Sequence, residues 1–466
     1  MIAYLIASLL IAAAAFAVRR ERQLFQIGVL FYAVQAAFAG MILFGGLYGG
    51  NSTGWFRFDA PGTLFYVLLC IVSAFAYFHS EAYLRENDLS QTRTYSALVM
   101  LLTTAIAGAY FASNLAVTWI FLEATTLCSA GIIYHRRTAQ TLEAAWKYVF
   151  VCSTGIAMAY LGILLLAAAT DCESLDYGVV AAAAPHSNAL YLKTAFVLIL
   201  CGYSCKMELF PLHTVGIDAN FAAPSPASAL ISTGLVNAGF LAIFRIYKVL
   251  APTEVFAWVR SVLLIVGVLS LAIGALFLRR TNNYKRFLSY STVENMGIAA
   301  IGLGIGGIGV WAAVFHVVCH TLIKSSLFLQ MAVVRQVYNG YRINRIGDYI
   351  HINRVGAIGL LTGMVVLVAF PPSPLFVSEL MILRGAITDG AWWLVAGMLL
   401  LLCIVIYSFC SRMIRLCYQP NQDELHPSKA DRALSWSALS LLVAAMVLGL
   451  WQPEFLRELI DQIATL

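Results

Sequence analysis

Charge is scarce in this sequence. Only 11% of its 466 residues are Asp, Glu, Lys or Arg, against about 25% in an average soluble domain. That scarcity excludes disorder, which needs low hydrophobicity and dense charge. Clustered thiolates are missing too. No C-x-x-C occurs, and nine of the ten cysteines sit in apolar stretches, with Cys172 alone in a polar loop. Iron–sulfur clusters are held by closely spaced Cys thiolates, so no cofactor is expected on this chain, and the cysteines serve as small hydrophobes. No Ser/His/Asp or paired-carboxylate arrangement lies outside the apolar runs. Gly302, Gly304 and Gly307 satisfy G-x-G-x-x-G, but they join two apolar runs, whereas that fingerprint needs a preceding strand. The net charge of +6 is no sign of nucleic-acid binding, because membrane proteins collect Lys and Arg in their loops.

What the chain has is hydrophobicity: 61% apolar residues and a mean hydropathy of +0.83. A helix needs roughly 20 apolar residues to cross the bilayer core. Apolar runs between charged breaks predict an all-α, polytopic membrane protein with about fourteen spans. They lie near 1–18, 24–49, 60–79, 96–112, 115–134, 146–168, 191–212, 226–247, 255–278, 287–304, 308–332, 355–383, 391–411 and 434–451. The first span has no basic residue before it and no small-residue cleavage site, so it is expected to be a retained helix. Residues 453–466 form an amphipathic tail. Numbering each loop by the span before it, twenty of the 29 Lys and Arg fall in odd loops or at their edges and seven on the even side. The positive-inside rule then places odd loops in the cytoplasm and both termini outside.

The few ionisable residues inside the spans are the informative ones. A charge at the bilayer centre costs about 2.5–3.5 kcal/mol on insertion scales, so such groups usually face an interior path. Glu123 stands alone midway along the fifth span. Lys206 precedes Pro211 by five residues, and a proline inside a span removes a backbone bond and breaks the helix. Broken helices with freed backbone groups line hydrated cavities in transporters. Glu208 and His213 flank this break and are read either as part of the same path or as interfacial groups. His316, His320 and Lys324 recur every four residues, which stacks them on one face of the eleventh span. No Glu or Cys completes a metal site there, so the row is read as a proton relay. Glu379 follows Pro371, Pro372 and Pro374, a second predicted break. Two interrupted helices in corresponding halves point to inverted-repeat transport.

Several segments carry a resemblance: Leu122-Glu-Ala-Thr-Thr-Leu, Leu142-Glu-Ala-Ala-Trp-Lys-Tyr, Lys206 to His213, Ala223-Pro-Ser-Pro-Ala-Ser-Ala-Leu, Tyr284-Lys-Arg-Phe-Leu-Ser-Tyr-Ser, His316 to Phe328 and Phe370 to Leu380. Together they resemble the antiporter-like proton-pumping subunits of respiratory complex I and related membrane-bound hydrogenases. The first two look most like component F of hydrogenase-4. The resemblance implies 14 transmembrane helices in a prokaryotic cytoplasmic membrane. It implies an N-terminal three-helix segment (1–95), two inverted five-helix repeats (96–250 and 251–417), and a last helix with its tail (418–466). It implies a proton path through Glu123, Lys206, His316, His320, Lys324 and Glu379. The implied partners are other membrane subunits and a peripheral redox arm, which would carry iron–sulfur clusters and a nickel–iron site or flavin. This chain would have no redox active site of its own. Three positions depart from the pattern: Asn237, where lysine is common, and Asn220 and Asn295, where histidine is common. Two other readings stay open: a subunit of a multi-subunit cation/proton antiporter, which would use the same residues, and a non-pumping membrane anchor of a redox complex, which the three departures motivate.

Overall fold

The computed structural model describes residues 1–52, 54–84, 88–420 and 428–465. Arg85, one of the odd-loop cations, lies outside the described residues. The described chain is almost wholly helical. In order come α1 (Ile2–Ala17), α2 (Glu21–Phe44), α3 (Ala60–Tyr83), α4 (Leu89–Phe111), α5 (Leu115–Ile133), α6 (Ala139–Thr170) and α7 (Tyr177–Ala183). Then follow α8 (Ala189–Met207), α9 (Thr214–Ala222), α10 (Ser225–Leu230), α11 (Val236–Leu250), α12 (Phe256–Leu278), α13 (Tyr284–Ile305) and α14 (Ile308–Tyr338). The last are α15 (Tyr349–Ile352), α16 (Arg354–Leu367), α17 (Pro374–Thr388), α18 (Trp392–Tyr418), α19 (Arg432–Leu450) and α20 (Glu454–Ala464). A two-residue hairpin, β1 (Asn51–Ser52) and β2 (Phe56–Arg57), precedes α3.

Among the described residues, eleven helices are long and apolar enough to cross a membrane: α2 to α6, α8, the continuous run Ser225–Leu250, α12, α14, α18 and α19. The chain is therefore a polytopic membrane protein. Several helices begin before their apolar run does. Helix α6 starts at Ala139, seven residues ahead of the predicted span, because Thr138 and Thr141 form a capping box and satisfy donors at the helix start. An exposed Glu143–Lys147 pair at 2.5 Å occupies its polar first turns.

Two compact units divide the chain. The first comprises 1–223, 234–259 and 465–466, and the second comprises 224–233 and 260–464. In the first unit, α6 and α8 pack backbone to backbone. A Cβ on Gly202 would sit 2.4 Å from the Gly155 carbonyl oxygen, so glycine is required for that approach, as in small-residue packing between membrane helices. An ion pair ties α3 to α11: Arg245 donates to Asp59 Oδ2 at 3.0 Å and to the Tyr110 carbonyl at 2.6 Å. In the second unit α14 is the spine, buried along nearly its whole length. The tail forms α20 and buries Leu459, Ile460 and Ile463, while Trp311 donates to Asp461 at 2.8 Å. Its amphipathic character matches the sequence expectation.

Both predicted breaks are present. Helix α8 ends at Met207, Glu208 takes a left-handed conformation, the Phe210–Pro211 bond is cis, and α9 begins at Thr214. Helix α16 ends at Leu367, Ala369 is left-handed, and the Pro371–Pro372 bond is cis. Ser373 then caps α17 by accepting from the Phe376 amide at 3.2 Å. A third irregularity, π-helical Ile231–Leu235, interrupts the run between α10 and α11.

Candidate functional site: buried ionisable clusters in each unit

In the first unit Glu123 and Lys206 come together through a hydroxyl. Helix α5 carries Glu123, Thr125 and Thr126, and α8 delivers Lys206 to them. The Lys206 ammonium donates to Thr126 Oγ1 at 2.8 Å and to Thr125 Oγ1 at 3.2 Å. Thr126 in turn donates to Glu123 Oε2 at 3.3 Å, and Ser153 of α6 donates to Glu123 Oε1 at 2.8 Å. The ammonium also lies 5.4 Å from the centre of the Tyr148 ring, within the range of a cation–π attraction. Lys206 is 1% exposed. The resemblance implied that Glu123 and Lys206 belong to one proton path; the geometry inserts Thr126 between them.

The first break carries a second group of side chains. Glu208 is 2% exposed and its Oε1 accepts from Asn220 of α9 at 2.9 Å. His213 is buried as well and stacks on Phe210 with ring centres 6.4 Å apart. Both side chains are enclosed by protein. Asn220, noted as a departure from the family, is thus the partner of a buried carboxylate. Asn237, the other departure in this unit, is buried on α11 beside Tyr110. Pro211 is exposed, and so are Pro371 and Pro372 at the second break; these prolines shape the chain and do not line the buried clusters.

In the second unit the predicted row is in place. His316, His320 and Lys324 are each fully buried on α14, spaced about 6 Å apart by the helix rise. His316 Nδ1 shares a hydrogen bond of 2.9 Å with Ser378 Oγ of α17, one residue before Glu379. Glu379 is 6% exposed and sits in the second turn of α17. Lys324 donates to Ser291 Oγ and to the Leu288 carbonyl, both on α13. Neither ring nitrogen of His320 has a hydrogen-bond partner among the described residues. Hydroxyls surround this end of the row: Ser232 with Thr292 at 2.8 Å, and Ser325 donating to Thr233 at 3.4 Å.

Sequence reasoning missed two things. One is Glu294 on α13, 1% exposed, whose carboxylate accepts from Asn295 at 2.6 Å. Its signal was the same as that of Glu123, a lone carboxylate inside an apolar run. The other is the set of hydroxyls, Thr125, Thr126, Ser153 and Ser291. Isolated Ser and Thr in membrane helices often back-bond to their own carbonyls, so nothing in the sequence separates these four from the rest.

Fold and clusters together define a polytopic helical membrane protein with ionisable side chains kept in its interior. The profile of one family, the transmembrane NADH:quinone oxidoreductase/Mrp antiporter family, matches residues 112–406, and this chain belongs to that family. The chain is 30% identical over 355 residues to a hydrogenase-4 component F homolog from Methylacidiphilum infernorum, covering 71% of this chain and 74% of that protein. It is 27% identical over 334 residues to a probable K(+)/H(+) antiporter A/B protein of Rhizobium meliloti, covering 71% of this chain but 33% of that longer protein. Its fold matches a chain of the membrane-bound sulfane sulfur reductase, an archaeal respiratory membrane complex. That match has a TM-score of 0.86 at 21% identity and covers 99% of this chain and 96% of the other. The family resemblance drawn from the motifs is borne out.

Proposed function

We propose that this chain translocates protons as the membrane subunit of an oxidoreductase of the hydrogenase-4 or complex I type. The observation that carries this reading is the Glu123–Thr126–Lys206 bridge, a half-buried carboxylate and a buried ammonium held in mid-span by one shared hydroxyl. Burying a charge such as that of Lys206 is costly unless it is paired and hydrogen-bonded, and here the pairing is indirect and breakable. The row His316, His320, Lys324 and the carboxylate Glu379 supply the matching groups of the second unit. Glu208 and His213 support the first.

Fourteen spans follow if α1, α13 and the broken α16–α17 segment also cross. Helix α13 has spanning length at 22 residues but carries Lys285, Arg286 and Glu294. The two breaks fit two inverted five-helix repeats, and the Lys/Arg bias puts both termini on the outer side of a prokaryotic cytoplasmic membrane. Electron transfer then belongs to partner subunits, with iron–sulfur clusters and a nickel–iron site or flavin on the peripheral arm. The test uses inside-out vesicles containing the intact complex, driven by reduced methyl viologen, with a pH-sensitive dye reporting proton uptake per electron. Glu123→Gln and Lys206→Ala each lower that ratio at least tenfold; an unchanged ratio in both refutes the proposal.

A second reading has its own support in the likeness to a K(+)/H(+) antiporter protein: the same residues would exchange protons for a cation with no redox partner. A potassium- or sodium-dependent pH change in vesicles given no electron donor selects it.

A further inference from the structure

The first unit shows a local pattern with three parts. A carboxylate (Glu123) and a hydroxyl (Thr126) stand one helical turn apart on α5, and a lysine from a neighbouring helix donates to that hydroxyl. The second unit carries the same three groups around α13, with Ser291 donating to the Leu288 carbonyl at 2.9 Å where Thr126 donates to its carboxylate. Ser291 and Glu294 are one turn apart, so they share a helix face, and Lys324 of α14 donates to Ser291. The chain order is reversed, with the carboxylate before the hydroxyl on α5 and after it on α13. Glu294 lies within electrostatic reach of both Lys324 and Glu379, and His320 lies within reach of Lys324. It is shut in by close packing: a Cβ on Gly274 of α12 would lie 2.6 Å from the Glu294 Cβ. Asn295 then fixes the carboxylate by donating to Oε2 at 2.6 Å and, through the same nitrogen, to the Ser291 carbonyl at 2.7 Å. The asparagine that replaces a common family histidine is therefore the clamp on this carboxylate.

We propose that Glu294 is the carboxylate partner of Lys324, serving the second unit as Glu123 serves the first and passing protons between Lys324 and Glu379. The proposal rests on the proton-translocating reading, and one experiment separates the two. Proton uptake per electron is measured in viologen-driven vesicles for Glu294→Gln, Glu294→Asp and Glu123→Gln, each matched for complex content. The expected result is at least a tenfold loss in Glu294→Gln, substantial recovery in Glu294→Asp, and a loss in Glu123→Gln. Loss in Glu123→Gln with full uptake in Glu294→Gln overturns the role of Glu294 alone. Full uptake in both overturns the underlying reading. Equal loss in Glu294→Gln and Glu294→Asp also counts against a proton-carrying carboxylate. Should Glu294→Gln fail to assemble, the double variant Glu294→Gln/Lys324→Met decides. Removing both members of a buried pair is better tolerated than removing one, so restored assembly supports the pairing and failure to restore it refutes it.

Discussion

The buried hydroxyl of Thr126 is the single joint between Lys206 and Glu123 in the proposed machinery, and Thr126→Val severs it without changing side-chain shape. In the structure that hydroxyl accepts from Lys206 at 2.8 Å and donates to Glu123 at 3.3 Å. A hydrogen bond involving a charged group contributes about 1.5–3 kcal/mol, and each 1.4 kcal/mol is about tenfold in rate or population. Loss of the bridge therefore lowers coupled proton uptake by roughly ten- to a hundredfold. Thr125 provides the control on the same helix. It also accepts from Lys206, at 3.2 Å, but its own hydroxyl donates to the Leu122 carbonyl at 2.6 Å and not to Glu123. Thr125→Val thus weakens the hold on Lys206 without cutting the link to the carboxylate, and its effect stays within a few-fold. Thr126→Ser keeps the bridge and keeps the uptake. The assay is dye quenching in inside-out vesicles, normalised to electrons transferred. Wild-type uptake in Thr126→Val, or equal losses in both valine variants, refutes the idea that one bridging hydroxyl couples the pair.

Two further predictions concern the scaffold. Asp59→Asn removes the charge facing Arg245, whose side chain is 9% exposed against 28% for Asp59; because Arg245 keeps its bonds to the Tyr110 and Ala112 carbonyls, the loss is about 1–3 kcal/mol, seen as a lower unfolding midpoint in detergent, and an unchanged midpoint contradicts it. Gly202→Leu forces α6 and α8 apart, since even a Cβ would lie 2.4 Å from the Gly155 carbonyl. Overpacking of this kind costs about 1–3 kcal/mol or more, so the monodisperse peak in size-exclusion chromatography shrinks sharply, with Gly202→Ala intermediate; a normal peak in the leucine variant would show that the helices have room to give.

Much of the fold was legible because a bilayer forces one simple rule on the sequence: backbone polar groups must be satisfied within each span. The apolar runs therefore mark helices directly, and the prolines at 211, 371 and 372 mark where that rule is suspended. Helix starts were less legible. Helix α6 extends through Glu143 and Lys147 before its apolar run begins, because helix capping works at the Thr138 hydroxyl and ignores hydropathy. Likewise α13 begins at Tyr284, three residues ahead of its predicted span, because Asn283 caps it by accepting from the Lys285 and Arg286 amides. In the candidate site, the ionisable residues stood out by their cost in the membrane. What connects them did not. A hydroxyl is cheap to bury on its own helix, and whether it reaches a lysine depends on how closely two helices approach.

That closeness bears on why the carboxylate and ammonium are bridged at all. Two bonds in series, 2.8 Å and 3.3 Å, put the donor nitrogen and acceptor oxygen no more than about 6 Å apart. At an effective dielectric near 20, charges at that separation attract by about 3 kcal/mol, roughly half the value for direct contact. A contact pair would hold its proton and its geometry together, and breaking it would strand a buried charge at a cost of about 3–5 kcal/mol. The bridged pair carries a smaller interaction, and a rotation of one threonine is enough to change it. Under the proposed function, such a pair would switch between linked and unlinked states for a few kcal/mol. The glycine contact between α6 and α8 leaves no room for a Cβ at Gly202, so under the proposed function the switching motion would fall to the hydroxyl and the two long side chains it joins.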